Sequence, residues 1–316
     1  MKANNFRALI VINESAGNGR AGRLWEGIRT DILKRVPGHA IEIAYSSAQD
    51  PGERLMEFLE TGHINCLITA GGDGSMNHLL NFLFTLKSNH LDNLTIGGIG
   101  LGSSNDFIKP CKIRIRKVPV RLDFENYTKN DVGVLKFQDD NDKWHTRYFL
   151  INASIGVTAE ANLLFNEGDW MLNFLKRQYP AVAICYAAIK TILRYKNTWV
   201  DLLYQGQKAP LSLSNLAVNK NNYVSGGLHY DQNLKPDDGY LGLNYCYDMS
   251  AFELFRTLLD LRKGIFSGRK KRESVMLREL SIDSEQCVAI ETDGEIQQGN
   301  HIRFSILPKA VNILGL

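Results

Sequence analysis

Short apolar runs alternate with helical spacing over the first hundred residues of this chain. Residues 8–12, 41–45, 66–69 and 94–99 are apolar runs of strand length. Between them, Leu24, Ile28, Ile32 and Val36 share one helix face, as do Leu55, Phe58 and Leu59. Met76, Leu79, Leu80 and Leu83 fall at i, i+3, i+4 and i+7, which predicts a helix over 76–86. Alternating strands and helices predict a parallel sheet with flanking helices. From about Lys112 the texture changes. Residues 112–116 and 118–122 alternate polar and apolar positions, as half-exposed strands do. Further strand runs lie at 132–137, 148–154, 200–204, 211–218, 241–247, 279–282, 288–291 and 302–307, with helical stretches at about 159–195 and 250–262. This part reads as β-rich and mostly antiparallel. The expected organisation is an α/β domain over 1–118 and a β-rich domain over 119–299.

Bulk properties narrow the picture only a little. A chain of 316 residues suggests two domains. Its 44% hydrophobic and 22% charged residues are ordinary for a globular protein. A net charge of +3 is too small to imply a nucleic-acid binder. The five cysteines are scattered, with no C-x-x-C pair, so neither a zinc site nor a redox motif is expected. They read as free thiols of a reducing compartment. The opening apolar run is too short for a signal-peptide core, and the longest apolar stretch, 179–189, is too short to span a bilayer. The expectation is a cytoplasmic protein without a transmembrane anchor.

The chemistry gathers in loops after the strands, where ligands of parallel sheets bind. Gly71-Gly72-Asp73-Gly74-Ser75 joins the third strand to its helix. Glycines let the backbone approach a phosphate, and the first amides of a helix point at an anion. Asp73 repels phosphate unless a divalent cation or a transferable proton lies between them, which points to a nucleoside triphosphate with Mg²⁺. Asn13-Glu14-Ser15-Ala16-Gly17 follows the first strand, and Gly100 to Asp106 follows the fourth. Gly17 and Gly22 have P-loop spacing, but Arg23-Leu24 replace Lys-Ser/Thr, and the dinucleotide fingerprint fails in the 100–106 loop. Near the C-terminus, Asp293-Gly294-Glu295 aims two carboxylates from one turn, as general base chemistry or metal binding requires. The same residues also suit an Asp-Gly hairpin. Pro236-Asp237-Asp238-Gly239-Tyr240 is a second acidic turn, able to offer carboxylate and carbonyl oxygens to a cation.

Taken in order, these motifs resemble the diacylglycerol kinase catalytic-domain family, in particular bacterial lipid kinases. The resemblance rests on Asn13 to Gly17, Gly71 to Ser75, Leu101-Gly102-Ser103-Ser104-Asn105-Asp106-Phe107, the run FLINASIG at 149–156, the turn at 237–239, and Asp293-Gly294-Glu295. It implies an NAD-kinase/diacylglycerol-kinase-like fold: a nucleotide-carrying α/β domain completed by about 300–316, a β-rich lipid-side domain, and an active site in the interdomain cleft. By that resemblance Asn13, Gly17, Gly71, Gly72, Asp73, Gly74, Ser75, Gly102, Ser103 and Asn105 bind ATP, and Ser46 or Ser47 stands for a further nucleotide contact. Asp73 acts through catalytic Mg²⁺. Asp293 and Glu295 supply the general base, with the choice between them open. Asp238 and the Tyr240 carbonyl, with Asp237 beside them, correspond to a structural Mg²⁺ site. The chain departs from the pattern at Glu14 (for proline), Ser75 and Ser103 (for threonine), Ser104 (for glycine) and His78 (for glutamate). His78 is read as a helix-face residue without a chemical role.

The implied reaction is phosphoryl transfer from ATP to a lipid hydroxyl. A kinase of a soluble acceptor, such as NAD or a sugar, and an inactive nucleotide- or lipid-binding protein are the rival readings. Monomer and homodimer both stay open. A lipid kinase without an anchor must meet the inner face of a membrane peripherally. Arg262, Lys263, Arg269, Lys270, Lys271 and Arg272, with Ile265 and Phe266 between them, form either an anionic-membrane contact or a solvated loop. Trp170, Phe174, Tyr179 and Tyr186 are read as core, with a lipid-facing wall as the alternative.

Overall fold

The computed structural model describes residues 6–46, 51–61, 63–86, 91, 93–168 and 170–316. The chain forms two compact units, Met1–Asn130 with Lys309–Leu316, and Asp131–Pro308.

In the first unit the alternating pattern folds as β1 (Phe6–Asn13), α1 (Ala16–Gly19), α2 (Ala21–Arg35), β2 (Gly38–Tyr45), α3 (Gly52–Thr61), β3 (Cys66–Gly71), α4 (Asp73–Leu83), β4 (Thr95–Gly100), β5 (Ile113–Ile115) and β6 (Val118–Arg121). β1 lies between β2 and β3, and β3 pairs with β4, all parallel. Asn312 and Ile313 of the C-terminal strand add to β4 in parallel, so the sheet closes with residues far away in sequence. The apolar stripe of α2 (Trp25, Ile28, Ile32) packs on Ile10, Ile12 and Ile68. Arg121 fastens the returning strand: its Nε donates to the Leu314 carbonyl at 2.8 Å and its Nη1 to the Phe107 carbonyl at 3.2 Å. Burial lowers this guanidinium to about 10.

β7 (Asp123–Gln138) leads into the second unit, which continues with β8 (Trp144–Phe149), β9 (Asn152–Gly156), α5 (Val157–Glu167), α6 (Trp170–Gln178), α7 (Pro180–Arg194), β10 (Thr198–Tyr204), β11 (Gln207–Asn219), β12 (Tyr223–Val224), β13 (Leu228–His229), β14 (Leu241–Tyr247), α8 (Ala251–Leu261), β15 (Arg272–Leu277), β16 (Glu279–Thr292) and β17 (Glu295–Gly315), whose residues from Lys309 on belong to the first unit. The pairings among β10, β11, β14, β15, β16 and β17 are antiparallel, and β9 pairs antiparallel with both β11 and β16. Phe149, Leu216, Leu243, Ile282, Ile290 and Phe304 belong to its core. Two expected strands, 279–282 and 288–291, are one strand interrupted by an irregularity between Asp283 and Val288. The single strand expected at 148–154 is instead two, β8 and β9, with Leu150 and Ile151 between them. All five cysteines are free, and no described helix is long and apolar enough to cross a membrane.

Candidate active site

The carboxyl ends of β1, β3 and β4 open into three loops that meet. Asn13 ends β1; its Nδ2 donates to Ser75 Oγ at 2.9 Å while its Oδ1 accepts from the Ser15 amide at 3.1 Å. The amides of Leu101 and Gly102 donate to the Gly71 carbonyl at 2.8 and 3.2 Å. Asp73 opens α4, and its Oδ1 accepts from the Phe107 amide at 3.0 Å. Gly72 and Gly102 pass so closely that a Cβ on Gly102 would lie 2.5 Å from the Gly72 Cα. Gly17, at φ +59°, leaves room for the Leu101 carbonyl, 2.7 Å from where its Cβ would stand. The result is a bed in which the three loops meet closely, main chain against main chain at Gly17, Gly72 and Gly102.

The other expected nucleotide residues divide into two kinds. Asn105, at φ 53°, accepts from the Gly102 amide at 3.0 Å and donates to the Gly102 carbonyl at 2.9 Å, so its amide group shapes its own loop. Gly74 and Ser75 lie in the first turn of α4, Ser103 is exposed, and Ser46 follows β2, whose Tyr45 pairs with Asn13. Ser47 lies outside the described residues. His78 is exposed on α4 and lines a small pocket with Tyr45 and Ser75.

The start of α4 lies in this bed. The helical bonding of α4 begins with Met76 N–H to the Gly72 carbonyl at 3.2 Å, so the earlier amides lack acceptors within the helix. Asp73 places a carboxylate beside that positive end, an arrangement that suits a nucleotide carrying Mg²⁺. Among the described residues no group of three or more His, Cys, Asp or Glu stands together as a metal site. Mg²⁺ commonly takes one or two protein carboxylates together with phosphate oxygens and water.

In the second unit, β16 and β17 are joined by the two-residue turn Asp293-Gly294, with Thr292 opposite Glu295. Both turn residues have positive φ, 47° and 97°, as a tight hairpin of right-twisted strands demands. Asp293 is thus a hairpin residue, and its carboxylate is also buried. It accepts from the amides of Leu150, Ile151 and Asn152 at 2.9, 3.0 and 2.9 Å. Those amides face a carboxylate rather than a neighbouring strand, which is why β8 stops at Phe149 and β9 starts at Asn152. Glu295 is exposed.

Glu291 was not among the expected residues. It is buried, with Oε2 accepting from Ser154 Oγ at 2.7 Å and Asn152 Nδ2 at 3.1 Å, and Oε1 accepting from the Gly294 amide at 2.6 Å. Burial pushes its carboxyl up to about 7, against those hydrogen bonds and with Asp293 adding to the rise. The signal was present in the sequence: acids at 291, 293 and 295 alternate at strand spacing.

The acidic turn at 236–240 holds a lysine where a metal was expected. Lys220 Nζ lies 2.8 Å from Asp238 Oδ1, 2.8 Å from the Lys235 carbonyl and 2.9 Å from the Tyr240 carbonyl. Asp131 Oδ2 is 2.9 Å away. Asp237 is exposed. Burial alone would raise Asp238, but Lys220 and the amides of Lys235 and Tyr240 bring it below the usual carboxylate range. Mg²⁺ holds oxygens at roughly 2.0–2.1 Å. The oxygens here are spaced around an ammonium, and Mg²⁺ does not fit with Lys220 in place.

The basic run also needs correction. Arg272 is buried and pairs with Asp260 at 2.9 Å, Lys271 bonds the Asp248 carbonyl and Glu253, and Phe266 is core. Arg262, Lys263, Arg269 and Lys270 are the members left exposed. The aromatics of the helical region depart from the core reading in the opposite sense: Trp170, Phe174 and Tyr179 are exposed, and only Tyr186 is half-buried.

Residues 7–131 match the diacylglycerol kinase catalytic domain, and residues 152–315 match the YegS C-terminal NAD kinase beta sandwich-like domain. A Staphylococcus haemolyticus protein named "Putative lipid kinase" is 21% identical over 266 residues, covering 83% of this chain and 80% of that one. A Staphylococcus aureus protein of the same name is 22% identical over 253 residues, covering 79% and 77%. Among solved structures, one titled a "putative diacylglycerol kinase" from Bacillus anthracis superposes with a TM-score of 0.68 at 19% identity, covering 100% of this chain and 98% of that one. Yeast NADH kinase superposes with a TM-score of 0.50 at 11% identity, covering 99% and 84%. At these identities the solved structures speak for the fold.

Proposed function

This chain belongs to the diacylglycerol kinase catalytic-domain family, and on that premise we propose that it transfers the γ-phosphoryl group of ATP to a lipid hydroxyl. The observation that carries the reading is the glycine bed of the first unit, with Asp73 at the N-terminus of α4. Gly17, Gly71, Gly72 and Gly102 let the three loops close on one another as main chain, and Asn13 and Ser75 tie the loops on which the triphosphate would lie. Mg²⁺ carried by the nucleotide at Asp73 would supply charge neutralisation of the transferring group. The residues themselves position the phosphates and stabilise developing negative charge. In the second unit Glu295 is the accessible carboxylate and takes the proton of the attacking hydroxyl. Asp293, saturated by amides, holds the turn that presents it.

The test is ATP consumption with Mg²⁺ across lipid hydroxyls in mixed micelles, with NAD and simple sugars as soluble controls. Turnover on a lipid is the expected result. Turnover confined to a soluble control would keep the family and overturn the lipid acceptor.

A lipid acceptor requires a membrane-facing surface, and α8 is suited to it. Its Leu254, Thr257 and Leu261 face inward, while Phe252, Phe255 and Leu259 are exposed, Phe252 to 75%. Leu193, 73% exposed, ends the neighbouring α7. The acids of α8 are engaged, Glu253 in the Ser250 capping box and with Lys271, Asp260 with Arg272. The exposed cations Arg256, Arg262 and Lys263 remain around the apolar face. Apolar face plus cations describes an interfacial helix on an anionic leaflet. Phe252→Ser with Leu259→Ser is expected to lower binding to phosphatidylglycerol vesicles by at least about tenfold, from the apolar area lost. Unchanged binding would remove α8 from the contact.

A further inference from the structure

We propose that Lys220 is a built-in cation that holds the acidic turn and Asp131 together in the role a divalent metal would otherwise fill, so that the second unit is ordered without one. The ligand set is that of a hard-cation site: carboxylate oxygens of Asp131 and Asp238 and carbonyl oxygens of Lys235 and Tyr240, all 2.8–2.9 Å from one nitrogen. The lysine side chain is 2% exposed and that of Asp131 0%, so water does not substitute for these contacts.

The charges close without a metal. Two carboxylates and one ammonium leave a single negative charge in the cage. Main-chain donors meet it: Gly239 N–H to Asp131 Oδ2 at 2.8 Å, Lys235 N–H to Asp238 Oδ2 at 2.8 Å, and Tyr240 N–H to Asp238 Oδ1 at 3.0 Å. A divalent ion added beside Lys220 would bring a second cation to the same point, at a Coulombic cost that low local dielectric magnifies. A buried charge survives only when paired and hydrogen-bonded, and here each partner is.

The cage is joined to the acidic hairpin. Lys220 directly follows β11, and the amides of Lys220 and Asn221 donate to the Ile151 carbonyl at 2.7 and 2.9 Å. The Ile151 amide in turn donates to Asp293 Oδ1 at 3.0 Å. Lys220 therefore serves as a positioning residue for the segment that cradles Asp293, whatever the acceptor of the reaction.

Thermal melting of the nucleotide-free full chain tests this. Wild type is expected to melt at the same temperature in EDTA, in millimolar Mg²⁺ and in millimolar Ca²⁺. Lys220→Ala in EDTA is expected to melt on the order of 10 °C lower, because the buried Asp131 and the half-buried Asp238 lose their cation. Added Ca²⁺ or Mg²⁺ should recover part of that loss, since truncation leaves an oxygen-lined hole. A wild type that loses stability in EDTA overturns the proposal, as does a response to the ions that is equal in wild type and variant. If Lys220→Ala does not fold, Lys220→Gln, which fills the space without the charge, should still melt well below wild type. Melting together with wild type would overturn the proposal.

Discussion

Asp73→Asn is expected to lower the rate of phosphoryl transfer by on the order of 10²–10³-fold while leaving the fold intact, the scale seen when one preorganised electrostatic group is removed from a transition state. The substitution is chosen for what it keeps. Asp73 Oδ1 accepts from the Phe107 amide at 3.0 Å, and an asparagine Oδ1 can accept the same bond. The tie between α4 and the loop after β4 therefore survives, and the negative charge at the helix N-terminus is what disappears. Loss of that charge brings no penalty to an anion on the glycine bed, so nucleotide binding in the absence of Mg²⁺ should be unchanged or tighter. Mg²⁺-dependent turnover should collapse. Asp73→Ala is the harsher control, because it also unties Phe107 and should loosen the 101–107 loop. Turnover of Asp73→Asn within a few-fold of wild type would remove Asp73 from the chemistry and leave it the role of a loop tie. Melting temperature and nucleotide affinity, measured on the same samples, separate the two roles.

How much of this was legible depended on whether the partners are close in sequence. The parallel sheet was legible because each strand and its following helix carry their own period, and the glycine loops come at the strand ends by construction of the fold. The Asp293-Gly294 hairpin was legible from two residues, since few other pairs adopt positive φ at both turn positions. The cradle around Asp293 was not, because Leu150 to Asn152 look like continuous strand and their departure from the ladder is caused by a carboxylate some 140 positions later. Lys220 was hidden for the same reason. A lone lysine after a strand carries no signal, and its cage draws on Asp131 and the 235–240 turn at separate points of the chain. The exposed aromatics of α6 were misplaced for a different reason, and α8 shows the same principle. Apolar residues at helical spacing are ordinarily core, and only the buried opposite face of α8, already filled by Leu254 and Leu261, shows that Phe252 and Leu259 have nowhere inward to go.

The two carboxylates of the β16–β17 hairpin, Asp293 and Glu295, should respond to substitution in different ways. Asp293→Asn is expected to lower the melting temperature by on the order of 5–10 °C, because one amide oxygen cannot accept from the three main-chain donors now shared by two carboxylate oxygens. The new NH₂ group would face N–H groups, and burial prevents water from relieving the mismatch. Glu295→Gln lies on an exposed position and should leave melting unchanged, while transfer falls by roughly 10²–10⁴-fold, the usual contribution of a positioned general base. Activity of Asp293→Asn, assayed well below its melting temperature, then decides what kind of residue it is. A large residual rate means that Asp293 acts by holding residues 150–152 and the hairpin, and that Glu295 handles the proton. A Glu295→Gln variant that turns over like wild type would overturn this division. The base would then have to be sought at Asp293, or at Glu291 behind it, whose burial already keeps its proton up to about pH 7.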